Sequence, residues 1–235
     1  MKFIIVTTAY GRPDLLQKCI ESVREQTYTN YEHFIVVDGH HALYPLDLVG
    51  EKTYLRLTHS KLGAMRNLYE TISSDQVCSS EDIIIRLDGD DTLKPHALQC
   101  VFDVYKKHPE TLVTHGSTEW LSGRDARFNG PYKSDNFRQV GWRGGHIMTF
   151  NVGLFRKIKQ RDFKGLDGNW LMSCSDLAIM YPLMEMAGLD RIQWIPEQIY
   201  VYNDFSELND CKVNGVLQKR MEKYIRKKPR YKRLP

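Results

Sequence analysis

The stretch that decides the fold is residues 83–93, IIIRLDGDDTL. Three successive isoleucines followed by Arg86 and Leu87 read as a buried β-strand, since a short apolar run rich in β-branched residues suits a strand covered on both faces. The strand runs directly into Asp88, Asp90 and Asp91, with Gly89 between the first two. A strand that ends in clustered carboxylates puts negative charge at the lip of a sheet, which is costly unless a cation meets it. Such oxygen ligands suit a divalent metal, and a metal at that place suits a phosphate-bearing ligand.

Upstream of this stretch, strand and helix alternate. Residues 2–8 form an apolar run, and the loop Thr7-Thr8-Ala9-Tyr10-Gly11-Arg12 follows. Pro13 and Asp14 suit a helix start, and Leu15, Leu16, Cys19, Ile20 and Val23 recur at helical spacing over residues 14–25. Residues 33–37 are a second strand, closed by Asp38-Gly39, and residues 53–57 a third. A helix opens at Gly63 and runs to about residue 72, and another starts at Pro95 and ends near residue 107. A strand at residues 111–115 follows. The first 115 residues thus read as a doubly wound α/β sheet. In such sheets ligands bind beyond the carboxyl ends of the strands, so the loop after residue 8, Asp38 and the acidic cluster face one crevice.

The second half is less regular. The segment Gly141–His146 reads as a polar-aromatic loop, residues 150–158 as a short helix and residues 162–172 as a loop. Residues 176–187 read as a helix stopped by Gly188. Two short strands at 192–195 and 198–202 precede a basic helix over 212–228. With no internal repeat and no linker, the 235 residues read as one domain: a first half (1–115), a second half (116–210) and a basic C-terminal helix and tail (211–235).

Composition narrows the class. With 42% hydrophobic and 26% charged residues, the chain is an ordinary globular protein. No apolar run approaches the ~18–20 residues that span a bilayer, and the N-terminal apolar run is too short for a signal peptide. Five widely spaced cysteines, without a CxxC pair, argue against a disulfide framework or a structural zinc site and for a reducing, cytoplasmic setting. Net charge is +4, but residues 219–233 hold nine Lys/Arg and one acid, leaving the rest of the chain acidic. That stretch reads as a solvated helix with a frayed end, or as a surface for an anionic membrane or a nucleic acid.

The acidic cluster alone admits several chemistries. A calcium EF-hand fails, because its sixth and twelfth positions would be Leu93 and Gln99 rather than Gly and Glu. Asp88, Asp90 and Thr92 match the DxDxT motif of haloacid-dehalogenase-like phosphatases, with Asp88 as nucleophile. They equally match the DxD site of a nucleotide-sugar transferase. A non-catalytic nucleotide-sugar or nucleic-acid-binding module is a further alternative.

Four pieces in order resemble glycosyltransferase family 2, with a GT-A, Rossmann-like fold: Ile4 to Arg12, Phe34 to Gly39, Gly63-Ala64-Met65-Arg66-Asn67, and Arg86 to Leu93. The resemblance implies a mainly parallel central sheet with helices on both faces and an acceptor-side cap. It also implies an inverting, hexosyltransferase-type enzyme moving a sugar from a nucleotide-sugar, a UDP-sugar, to a hydroxyl on a glycan. In residues 1–115, the nucleotide-sugar half, Thr8, Tyr10 and Asp38 would meet the nucleobase, Arg66 the base or diphosphate and Asp88 the ribose, with Arg12 and Gly89 also in the nucleotide-sugar site; residues 116–210 would be the acceptor-side half. Asp90 would hold Mn²⁺ or Mg²⁺, helped by His146, with Asp91 a loop or outer acid. In the second half, Gly144 to Phe150, Asp176 with Pro182 and Glu185, Tyr202-Asn203 and Asn209-Asp210 resemble a bacterial and viral subgroup. Asp176 would be the catalytic base, where the family more often has Glu-Asp. Trp142 and Trp170 are candidates for stacking on a sugar.

Overall fold

The computed structural model describes residues 1–39, 50–124, 130–206 and 210–235, apart from the side chains of residues 210 and 211. The histidine pair at 40–41 and Asn209 lie outside the described residues.

Eight strands form one sheet: β1 (Phe3–Ala9), β2 (Tyr31–Val37), β3 (Thr53–Leu57), β4 (Ile83–Asp88), β5 (Thr92–Leu93), β6 (Val113–Trp120), β7 (Gly145–Asn151) and β8 (Ile192–Tyr202), in the order β3-β2-β1-β4-β7-β6-β8-β5. The β3-β2-β1-β4 half is parallel, as expected. Beyond β4 the sheet is mixed: β7 is antiparallel to β4 and β6, β6 is parallel to β8, and β5 is antiparallel to β8.

Alternation along the strands sorts the core into two layers. Phe3 and Ile5 of β1 face α1 (Pro13–Arg24) and, further along, α3 (Ala97–Lys107). Ile4 and Val6 face the other way, onto α2 (Ala64–Ser73), α4 (Val152–Phe155) and α5 (Ser175–Ala187). Period-two side chains produce this split without further instruction. Of the residues of α5, only Asp176 escapes full burial, so the helix is apolar around its circumference and runs through the core.

Three expectations need correction. The Gly-Gly-His segment is not a loop, because Gly145 and His146 open β7, and residues 150–158 enter a strand before the one-turn α4. The two short strands near residue 195 are one strand, β8, with register shifts where it passes β6. The basic C-terminal stretch is not frayed. After α6 (Asp210–Val213) and α7 (Gly215–Lys227), the Arg226 guanidinium donates to the Arg138 and Val140 carbonyls, and the Leu234 amide donates to the Met186 carbonyl.

Candidate active site

The parallel strands β1, β2 and β4 end side by side, and Thr8 of β1 is register partner of Asp88 of β4. Their carboxyl ends, the first turn of α5 and residues 213–218 enclose a pocket of about 450 Å³. Thr8, Tyr10, Arg12, Asp38, Asp88, Asp90, His146 and Asp176 all line it. The topology thus gathers residues spread over 168 positions of sequence into one cleft.

The carboxylates are not equivalent. Asp88 accepts from Arg86 Nη2 at 3.1 Å. Burial works against its charge, but Arg86, His146 and Arg12 outweigh it and hold its pKa below the ordinary value. Asp90 accepts from Arg12 Nη1 at 2.5 Å, yet burial and the nearby Asp88 leave its pKa raised. Asp91 is 1% exposed and turned away from the pocket: it takes the Tyr200 hydroxyl at 2.6 Å and the Asn203 amide at 2.8 Å. Burial, then Asp90 and Asp88, push it well up. The Tyr200 hydroxyl also accepts from the Asp88 amide, so Asp91 and Tyr200 pin the acidic loop to β8. That role for Asp91 had no sequence signal, since Tyr200 lies 109 residues away.

Gly89 answers a packing need. A Cβ there would stand 2.9 Å from the Ala9 Cβ and 3.0 Å from the Thr8 carbonyl oxygen, while its amide donates to that same oxygen. Glycine lets β4 close against β1 where the acids begin.

Asp38 is more occupied than expected. One carboxylate oxygen accepts the Leu62 amide at 2.7 Å and the Thr58 hydroxyl at 3.3 Å, and the other accepts the Gly63 amide at 2.9 Å. It fastens the turn into α2, with little acceptor capacity left for a base. Beside it, the Lys61 ammonium sits 3.8 Å from the centre of the Tyr10 ring, a cation–π contact on the pocket wall. Lys61 was not anticipated.

Arg66 stands apart from the pocket lining. Its Nε donates to Glu70 Oε1 at 2.7 Å, one helical turn on, and Glu70 also holds Arg56. The arginine that the pocket does contain is Arg86: it is 8% exposed, and its Nε and Nη1 have no hydrogen-bond partner among the described residues. Burial opposes its charge, but Asp88, Asp176 and Tyr200 raise its pKa above the ordinary guanidinium value. Buried and charged, Arg86 stands in the pocket lining beside Asp88 and Asp176.

Asp176 sits in the first turn of α5, where the positive end of the helix favours a carboxylate. It does not cap: the cap position is Cys174, in left-handed backbone at φ 59°, and no side chain bonds to the helix start there. His146 stacks on Tyr200 with ring centres 4.4 Å apart, and its Nδ1 has no partner among the described residues. Burial lowers its pKa despite Asp88, which keeps the imidazole neutral and able to ligate. Trp142 packs edge-on against Tyr181, and Trp170 packs at a tilt against Tyr69; neither lines this pocket.

Among the described residues no three His, Cys, Asp or Glu side chains are grouped to hold a metal. Asp90 and His146 still offer one carboxylate and one neutral imidazole to the same pocket. They would supply one oxygen and one nitrogen donor to a divalent cation, with water and substrate phosphates as the further ligands.

The family model described as "Glycosyl transferase family 2" matches residues 4–163. No curated protein matches the chain. The solved structure of S. aureus TarS is similar, with a TM-score of 0.65 and 14% identity over 86% of this chain and 37% of that one. TarS 1–349 in complex with UDP gives a TM-score of 0.63 at 14% identity, covering 86% of this chain and 60% of that one. TarS 1–349 in complex with UDP-GlcNAc gives 0.61 at 13%, covering 87% and 59%. At such identities the likeness shows the fold, and the chain spans less than two thirds of those proteins. The family match favours the transferase reading of Asp88 over the phosphatase one. Among the described residues no helix is long and apolar enough to cross a membrane.

Proposed function

Because this chain belongs to glycosyl transferase family 2 and has a GT-A fold, we propose that it is an inverting, metal-dependent transferase that moves a sugar from a UDP-sugar to an acceptor hydroxyl on a glycan. The observation that carries the reading is the meeting of Asp88, Asp90, Arg12, Arg86 and Asp176 around one pocket at the carboxyl ends of parallel strands.

In this reading Tyr10 and Asp38 flank the base, and Asp88 takes the ribose hydroxyls. Asp90 and His146 would hold Mn²⁺ or Mg²⁺, which would supply Lewis-acid neutralisation of the diphosphate. Arg86 and Arg12 take the role foreseen for Arg66: their guanidinium donors meet the negative charge that grows on the departing diphosphate. Asp176, across the pocket on α5, accepts the proton of the acceptor hydroxyl as that oxygen attacks the anomeric carbon. One base and no protein nucleophile give inversion. TarS 1–349 was solved in complex with UDP and with UDP-GlcNAc, which supports starting with uridine nucleotides.

The test is a thermal-shift series of nucleotide-sugars with Mn²⁺ and with Mg²⁺. A donor at ~100 times its Kd adds ~2.7 kcal/mol of stability, a readily visible shift in Tm. The proposal requires a metal-dependent shift with at least one UDP-sugar, lost in Asp90→Ala. No shift with any nucleotide-sugar, with or without metal, refutes it.

A further inference from the structure

The basic C-terminal stretch forms an ordered face. On α7, Val216, Arg220, Lys223 and Lys227 are exposed and recur at helical spacing, so they share one stripe. The opposite side is seated on the core through Ile225, with Met221 and Tyr224 packed against it. The stripe continues across a groove of about 740 Å³ lined by Lys159, Arg161, Leu166, Lys227 and Lys232.

The floor of that groove is fixed. The Lys228 ammonium donates to the Asp162 and Lys164 carbonyls at 2.7 and 2.9 Å, and the Tyr231 hydroxyl donates to the Asp162 carboxylate at 2.5 Å. The acid lining this groove is therefore already committed to Tyr231. Asp167, in the loop that carries Leu166, accepts from the Asn169 amide and side chain at 3.1 Å each. Among the described residues no carboxylate pairs with Lys159, Arg161, Lys223 or Lys227.

The same face displays aliphatic side chains. Val216 is 87% exposed and Leu166 86%, and Val213 stands out nearby. A site for a soluble polyanion has no use for exposed aliphatics, and a nucleic-acid surface would present aromatic platforms. Isolated aliphatics within a field of Lys and Arg suit the headgroup boundary of an anionic bilayer, where cations meet phosphate and short apolar side chains enter the acyl edge. The face also adjoins the pocket, because Val213 and Leu217 at the start of this helical region line its mouth.

We propose that the face formed by α7 and the loop bearing Leu166 docks on an anionic phospholipid surface, with the mouth of the pocket beside the bilayer. The proposal stands on the surface and does not need the sugar-transfer reading.

The experiment is co-sedimentation of the full chain with vesicles of phosphatidylcholine alone and of phosphatidylcholine with phosphatidylglycerol. Binding is expected to the mixed vesicles and not to the neutral ones. Lys223→Glu with Lys227→Glu should weaken it on the order of tenfold or more, and Leu166→Ser with Val216→Ser should weaken it as well. These side chains are exposed, so an unchanged Tm will show each variant folded. Absence of binding to the mixed vesicles overturns the proposal. So does binding that soluble polyphosphate abolishes and the Leu166/Val216 variant leaves intact, since that describes a polyanion site. Donor-induced Tm shifts, measured without vesicles, report separately on the transferase reading.

Discussion

Arg12 Nη1 lies 2.5 Å from Asp90 Oδ2, although 78 residues separate the two. The same nitrogen donates to the Ser206 hydroxyl at 2.9 Å. One guanidinium therefore ties together the loop after β1, the acidic loop after β4 and the chain leaving β8. The Asp90 side chain is only 9% exposed, so its charge depends on this partner. The cation expected at the acidic lip is thus supplied, at least in part, by the protein itself.

That dependence makes Arg12→Met informative. Losing a charge-assisted bond to a largely buried carboxylate costs about 1.5–3 kcal/mol, or roughly tenfold to a hundredfold in kcat/KM if the group acts on the donor. Arg12→Lys should recover part of the loss, because a point charge replaces a fork. Steady-state transfer assays decide it, and an unchanged kcat/KM in Arg12→Met would remove Arg12 from the donor site.

Asp176→Asn separates binding from chemistry. The amide keeps the size of the side chain in the first turn of α5 but cannot take a proton. Transfer should fall about 10²–10⁴-fold while the donor-induced Tm shift is kept. Undiminished transfer would move the base elsewhere.

Much of this site could be read before the structure was seen, for a physical reason. Asp38 and Asp88 terminate parallel strands, Tyr10 and Arg12 follow one, and a parallel sheet must bring those ends together. Arg66 misled, because a helix sequence does not say which way a long side chain leans; Glu70, four residues on, was the clue that it would turn along the helix. Strand β7 was hidden by its opening glycine and by the run Phe150, Val152, Leu154, Phe155 and Ile158, whose buried spacing suits strand and helix alike. Lys61 and the Asp91–Tyr200 bond depend on approach between distant segments, which no local pattern encodes.

Glu185 tests how firmly the C-terminal tail is held. Its two oxygens accept Arg138 Nε at 2.6 Å and Nη2 at 2.9 Å, and Oε2 also accepts the Tyr231 amide at 3.0 Å. Arg138 in turn donates to the Ile225 carbonyl at 2.6 Å. Both side chains are almost wholly buried, so Glu185→Ala strands a charge and should cost about 3–5 kcal/mol in urea unfolding. Trypsin should then cut faster among residues 226–233. Replacing the pair together, Arg138→Met with Glu185→Leu, should regain most of the stability; no regain would mean that packing, not the stranded charge, sets the loss.

Acid sensitivity should come from two core histidines. Burial, with Arg24 adding to it, lowers the pKa of His33 to about 3. Burial lowers that of His115 to about 4. In the unfolded chain both titrate near 6.5. Between those values the unfolded state binds more protons, so stability is fully present above pH ~6.5 and is lost as pH falls toward 3–4. By pH ~5 the loss is about 2 kcal/mol for each histidine. His33 is joined to the Thr7 hydroxyl by a 2.8 Å bond, and asparagine can keep a polar partner there without titrating. Tm should therefore drop between pH 7 and 5 in the native chain, and His33→Asn should make that slope shallower whatever it does to Tm at pH 7. A flat profile in the native chain would mean that these imidazoles gain protons without unfolding.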